Sequence, residues 1–173
     1  MSTYLITVNY GNSNPTKDLI QSIENCYLNN NLKIFIADNQ STEKSKEELL
    51  IIKNSSFLDI ELIFFEKNYF YWTAAEKVLT RNLKNSNPSW VIICNNDIII
   101  KTKTFFNDLY KLDGKHYNVI GPKIINKERI NLNPFMLKPL TTFRRFYWYV
   151  YFRSFYFSIL LRFFSNIKGS MNL

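Results

Sequence analysis

The sequence predicts an α/β protein built on one open, mostly parallel sheet, and three observations carry that expectation. Short apolar runs rich in β-branched residues alternate along the chain with stretches of three- and four-residue apolar periodicity. The run Val91 to Ile93 is continuously apolar, which suits a strand covered on both faces, as parallel strands usually are. Polar residues then follow at corresponding places at the ends of successive runs: Asn9 and Tyr10, Asp38 and Asn39, Asn68, and the trio Asn95, Asn96 and Asp97.

Thr3 to Val8 reads as the first strand. Asn14 with Pro15 offers a cap and a first-turn proline for a helix running to about Leu28, with Leu19, Ile20, Ile23 and Tyr27 on one face. Lys33 to Ala37 is the second strand, ending at Asp38. Ser45 with Glu48 makes a capping box ahead of Leu49 to Ile52. Ile60 to Phe65 supplies a third strand, and Trp72, Ala75, Val78 and Leu79 mark a third helix. Trp90 to Cys94 is the fourth strand, Thr104 caps a helix carrying Phe105, Phe106, Leu109 and Tyr110, and Val119 to Gly121 forms a last strand halted by Pro122. Parallel strands joined this way need right-handed crossovers.

A chain of 173 residues can bury roughly two thirds of its unfolded surface, so its core needs no disulfide staples. The two cysteines, Cys26 and Cys94, lie among apolar residues, and no charged, apolar, small-residue leader opens the sequence. Both features predict a reducing, cytoplasmic setting. His116 is the single histidine and no Cys or His cluster has metal-ligand spacing, which disfavours a zinc site and favours oxygen ligands for any metal. The net charge of +8 is confined to one region. Residues 1 to 120 carry 13 Lys/Arg and 13 Asp/Glu, whereas residues 121 to 173 carry 9 against 1. The first two thirds therefore offer no general nucleic-acid surface.

In open α/β sheets, ligands bind outside the carboxyl ends of the strands. The polar residues above would all line that edge. Asn and Asp are also ordinary turn formers and helix caps, so each position has a purely structural reading beside the functional one. No Gly-x-Gly-x-x-Gly or Gly-x-x-x-x-Gly-Lys occurs and the chain has only 4 glycines, which disfavours a glycine cradle for phosphate and favours a metal anchor.

Four segments together give a family resemblance. Leu5 to Asn12, Ile34 to Ser41 with its Asp-Asn-x-Ser ending, Asn68 to Glu76, and Val91 to Ile98 followed by Val119 to Ile124 resemble, in order and spacing, the amino-terminal half of an inverting family 2 glycosyltransferase of GT-A fold. The resemblance divides the chain into a nucleotide-sugar-binding core over residues 1–126 and a basic aromatic tail over 127–173, the start of an interrupted acceptor half. It implies that Asp97 coordinates manganese or magnesium bridging the nucleotide diphosphate. It further implies that Asn95 or Asn96 lies near ribose or phosphate, that Asp38 binds the nucleoside, that Asn9 and Tyr10 frame the base, and that Asn68 belongs to the same nucleotide site. A hard cation needs only one or two protein carboxylates when substrate phosphates supply further oxygens. The implied activity is inverting transfer of a sugar from a nucleotide-diphosphate donor to a polysaccharide or lipid-linked acceptor. The sequence departs from the family at Phe70 and Thr73, where glycines are usual, and at Glu76, where Asn is usual. After Asp97 the only acids are Asp108, Asp113 and Glu128, none in a context resembling the catalytic base, so the chain alone is expected to transfer little or no sugar.

From Phe143 to Phe164, 12 of 22 residues are aromatic, interleaved with Arg144, Arg145, Arg153 and Arg162. Arg153 interrupts any spanning helix, while rings and arginines suit the headgroup level of a membrane, so residues 143–164 are expected either to make peripheral contact with the inner face of the cell membrane or to pack beneath further protein. Binding of single-stranded nucleic acid is disfavoured. Two other functional classes stay open: a non-catalytic nucleotide- or membrane-binding remnant, and a sugar nucleotidyltransferase. The second needs a basic glycine-rich loop after the first strand, and Asn9 to Ser13 has no basic residue.

Overall fold

The structure is a computed structural model that describes residues 2–27, 31–84, 86–112, 116, 119–126, 128, 130, 141–154 and 159. Two compact units, Met1–Val119 and Ile120–Leu173, divide the chain.

The first unit alternates strand and helix: β1 (Thr3–Asn9), α1 (Asn14–Glu24), β2 (Leu32–Asn39), α2 (Glu43–Ser55), β3 (Asp59–Phe65), α3 (Phe70–Leu83), β4 (Trp90–Asn95) and α4 (Phe105–Lys111). The strands form one sheet in the order β3-β2-β1-β4, and all three pairings are parallel, as the sequence predicts. Register sets Asn9 opposite Asp38 and Val8 opposite Asn95, so all four carboxyl ends meet along one edge.

Strand alternation separates two cores. Leu5, Ile34 and Ile36 face one side, with Leu19, Ile20 and Ile23 of α1, Leu49 and Ile52 of α2, and Phe106 of α4. Ile6, Val8, Phe35, Ala37 and Ile63 face the other, against Ala74, Ala75 and Val78 of α3. β1 and β2 are thus covered on both faces and carry the longest buried runs.

Several local expectations are corrected. β4, whose run Val91 to Ile93 suits a strand covered on both faces, is instead the outer strand, half-buried, with Ile93 38 % exposed. Helix α1 ends at Glu24 rather than near Leu28, which lies outside the described residues, and its cap position is Ser13 rather than Asn14. Ser45 and Glu48 form no capping box. Helix α2 starts earlier, at Glu43, capped by Thr42, whose hydroxyl accepts from Ser45 N at 3.3 Å, while Glu48 pairs with the Ser13 hydroxyl. Residues 119–124 form no strand, and Val119 is 89 % exposed. Its apolar pattern has no buried face to serve, and an apolar triplet becomes a strand only where an edge is available to pair with it.

In the second unit, α5 (Thr142–Arg153) is the one helix assigned among the described residues. Phe143, Phe146 and Tyr149 are exposed at three-residue intervals. The Arg153 guanidinium donates to the Tyr149 hydroxyl at 2.9 Å and lies 5.6 Å from that ring's centre, which puts a cation in the same stripe. No described helix is long and apolar enough to cross a membrane.

Candidate functional site at the carboxyl edge of the sheet

Beneath the edge, on the α1/α2 side, lies a buried polar network. Asn9 and Asp38 are both 0 % exposed. Asn9 Nδ2 donates to Asp38 Oδ1 and Ser41 Oγ, each at 3.1 Å, and lies 3.4 Å from Ser45 Oγ. The second oxygen of Asp38 accepts Ser41 N–H at 3.1 Å, and Ser41 Oγ accepts Gly11 N–H at 2.9 Å. The loops after β1 and β2 are thereby bound to each other. Gly11 sits at φ +76, a left-handed conformation that glycine adopts without penalty. On its other side, Asn9 Oδ1 accepts from the Thr16 hydroxyl at 2.8 Å, and Asn96 Nδ2 reaches Thr16 Oγ1 at 3.0 Å and Asn9 Oδ1 at 3.4 Å. Burial of so many polar atoms is tolerable because they satisfy one another.

Alternation sends Asn39 to the opposite face, where it joins the loops after β2 and β3. Asn39 Nδ2 donates to Asn68 Oδ1 at 2.6 Å, Tyr69 N–H donates to Asn39 Oδ1 at 2.7 Å, and Asn68 N–H donates to Gln40 Oε1 at 3.2 Å. Two non-glycine residues here are left-handed, Gln40 at φ 65 and Phe70 at φ 58. Asn68 Oδ1 holds Phe70 N–H at 2.7 Å, while the Phe70 ring is 78 % exposed. A bulky residue with positive φ that buries nothing is an uncommon combination.

Above the network, β4 ends at Asn95, and Asn96 and Asp97 form a turn. Asn95 and Asp97 are exposed, Asn96 half-buried. Tyr71 and Cys94 stand behind this turn. Burial pushes the Tyr71 hydroxyl up to about 12, with smaller contributions from Cys94 and Asp97, and burial likewise pushes the Cys94 thiol up to about 12 against an opposing hydrogen bond with Thr7. Neither group ionises near neutrality.

The seven candidate residues therefore share one edge but occupy different depths. Tyr10, 64 % exposed, Asn95 and Asp97 present polar groups outward; Asn9 and Asp38 lie buried below; Asn68 and Asn96 are half-buried links between loops. Sequence reasoning missed Thr16, Ser45's place in the network and Gln40. Thr16 carries a detectable signal, because it occupies the apolar stripe of α1 at i, i+3, i+4 and i+7 with Leu19, Ile20 and Ile23.

No family model and no curated protein matches the sequence. Solved structures do. The chain is similar to Staphylococcus aureus TarS 1-349 in complex with UDP, at TM-score 0.55 and 16 % identity, over 67 % of this chain and 33 % of that one. It is also similar to the mannosyltransferase PcManGT from Pyrobaculum calidifontis in complex with GDP-Man and Mn2+, at TM-score 0.55 and 14 % identity, over 63 % and 31 %. The chain has a GT-A-like glycosyltransferase fold. A TarS structure of greater length aligns at TM-score 0.53 and 18 % identity over 67 % of this chain but 20 % of that one, so the chain spans a third or less of each of these three structures.

A divalent cation fits the donor set at the β4 turn in one respect. Among the described residues no three His, Cys, Asp or Glu side chains gather to cage a metal, whereas a hard cation shared with phosphates needs one exposed carboxylate and neighbouring oxygens. Asp97 and the Asn95 amide oxygen are of that kind.

Proposed function

We propose that this chain binds the nucleotide of a nucleoside-diphosphate sugar at the carboxyl edge of its sheet, as the donor-binding part of an inverting glycosyltransferase acting on a polysaccharide or lipid-linked acceptor. The observation that carries this reading is the exposure of Asp97, held on a braced turn on an edge where four parallel strands end. Asp97 would hold manganese or magnesium, which when bound neutralises the departing diphosphate. Asn95 supplies an exposed amide for phosphate or ribose. The Tyr10 ring, next to left-handed Gly11, offers a face for the base. Asn9, Asp38 and Asn96 act from below, since their polar atoms already hold the loops that the nucleotide would touch.

Isothermal calorimetry with UDP and GDP, each with and without manganese, tests the reading. Binding should strengthen with manganese, and Asp97→Asn should remove that increment while leaving the melting temperature within about 2 °C, because surface substitutions rarely change stability by more than about 0.5 kcal/mol. Equal manganese-dependent binding by the variant would take Asp97 out of the site.

A non-catalytic, nucleotide-binding role is the second reading, favoured by the acids that follow Asp97. Asp108 is exposed and paired with Lys111 at 3.2 Å, and hydrogen bonds from Thr104 and Lys111 hold its carboxyl below the ordinary 3.8. A carboxylate so stabilised is a poor proton acceptor near neutrality. Glu128 accepts from Asn126 Nδ2 at 2.8 Å, and Asp113 lies outside the described residues. Multiple-turnover transfer by the purified chain would overturn this second reading.

The exposed stripe of α5, with Arg153 on the Tyr149 ring, supports peripheral contact with anionic lipid. Phe146→Ser together with Arg153→Gln should reduce sedimentation with phosphatidylglycerol vesicles, and unchanged sedimentation would refute that contact.

A further inference from the structure

We infer that Thr16 is a positioning residue for Asp97, and that a hydrogen-bonded relay running Asp38, Asn9, Thr16, Asn96 sets the orientation of the turn that carries it; this rests on the function proposed above. The chemistry of each partner fixes the direction of every bond. A carboxylate can only accept, so Asp38 Oδ1 at 3.1 Å requires the Asn9 amide to present Nδ2 toward β2. Asn9 Oδ1 must then face α1, where it can only accept, so the Thr16 hydroxyl at 2.8 Å must donate to it. With its proton committed, Thr16 Oγ1 is left with lone pairs, and the group 3.0 Å away is Asn96 Nδ2, which can only donate. Asn96 is thereby held by its side chain, and Asp97 is the next residue.

Helix α1 braces this segment at a second point. Ser22 Oγ donates to Leu19 O at 2.7 Å and accepts Ile100 N–H at 3.1 Å. Residues 96 and 100 are therefore tied to two hydroxyls of one helix, while Ile98 and Ile100 pack against the first core. Thr16 is 0 % exposed and Ser22 6 %. Buried hydroxyls in an apolar stripe, each with donor and acceptor capacity used, are costly to maintain unless they hold something in place. What they hold is the one stretch whose exposed carboxylate the proposed chemistry needs. A positioning error of about 1 Å in such a group is enough to lose about a hundredfold in function.

The test is calorimetry of UDP with and without manganese chloride for the wild type, Thr16→Val, Thr16→Ser and Asn96→Ala, with a thermal melt of each. Valine keeps the shape of threonine and removes the hydroxyl link, leaving Asn96 Nδ2 only its longer contact with Asn9 Oδ1 at 3.4 Å; serine restores the hydroxyl. Thr16→Val and Asn96→Ala should lose tenfold or more of the manganese-dependent gain in affinity while metal-free UDP binding changes less than threefold, and Thr16→Ser should regain most of the gain. If Thr16→Val does not fold, Asn96→Ala, at a half-buried turn, reads the same relay. A variant pair that keeps the manganese gain, loses metal-free and manganese-dependent affinity alike, or is not rescued by serine would overturn the positioning role and leave the proposed function standing. Absence of any manganese gain in the wild type would instead overturn both.

Discussion

Asp38→Asn probes the buried network most directly, because it preserves volume and removes a single capacity. In the native protein the two carboxylate oxygens accept from Asn9 Nδ2 and from Ser41 N, each at 3.1 Å and wholly out of solvent. The asparagine amide has one oxygen. Whichever donor it keeps, its own N–H groups then face the other donor. One charge-assisted hydrogen bond is lost, about 1.5 to 3 kcal/mol, and a buried donor is left unsatisfied, so a destabilisation of about 2 to 3 kcal/mol follows. For a chain of this length that lowers the melting temperature by roughly 4 to 12 °C. Urea unfolding followed by circular dichroism measures it, with an unchanged m-value showing that the denatured state is the same. Asp59→Asn, at the exposed start of β3, serves as the control and should stay within about 0.5 kcal/mol. A loss at Asp38→Asn of less than about 0.5 kcal/mol would refute the claim that this carboxylate ties the β1 and β2 loops together.

Phe70→Gly should raise stability slightly, by about 0.5 to 1 kcal/mol, because glycine adopts the left-handed conformation freely and the exposed ring buries little; a fall in stability would show that the ring is packed, and an accompanying fall in UDP affinity would place it in the donor site. Cys26, Tyr27, Tyr71 and Cys94 all have raised values through burial, so each protonated form is favoured in the folded state. The sign of the pH dependence follows: for Cys94, stability is fully present below the ordinary 9.0 and is lost progressively as pH rises from there toward about 12. Urea midpoints should fall between pH 8 and 10.5, and less steeply in Cys94→Ala; a flat profile would contradict the burial of these groups. At pH 8 iodoacetamide should label both cysteines slowly in the native protein and rapidly in urea.

Much of the fold was legible in the chain because it rests on local periodicity. Runs such as Leu5 to Val8 and Ile34 to Ala37 alternate with the apolar stripe of α1, and the parallel sheet follows from that alternation without knowledge of any long-range contact. The alignment of Asn9, Asp38, Asn68 and Asp97 on one edge was legible for the same reason, since parallel strands bring their carboxyl ends together. What sequence could not supply was depth. Asn9 and Tyr10 are neighbours, yet pleating turns Asn9 into the α1/α2 interface at 0 % exposure and leaves Tyr10 64 % exposed. Asp38 and Asn39 are likewise sent to opposite faces, one to the Asn9 relay and the other to Asn68.

A local cap pattern does not set the helix start where a long-range partner competes for the same side chains. Ser45 and Glu48 satisfy the capping-box spacing, but Ser45 stands within reach of Asn9 and Glu48 pairs with Ser13, partners 36 and 35 residues away in sequence. Val119 to Gly121 has strand composition and no strand, because an edge strand depends on a partner that composition does not reveal. The sequence by itself determined the order of the elements, the parallel sheet and the edge on which the polar residues gather, all consequences of short-range pattern and chain connectivity. Only the tertiary structure decided which of those residues face solvent and which are consumed in hydrogen bonds between loops, because hydrogen-bond partners 80 and 87 residues apart, such as Thr16 with Asn96 and Asn9 with Asn96, exist only once the strands are side by side.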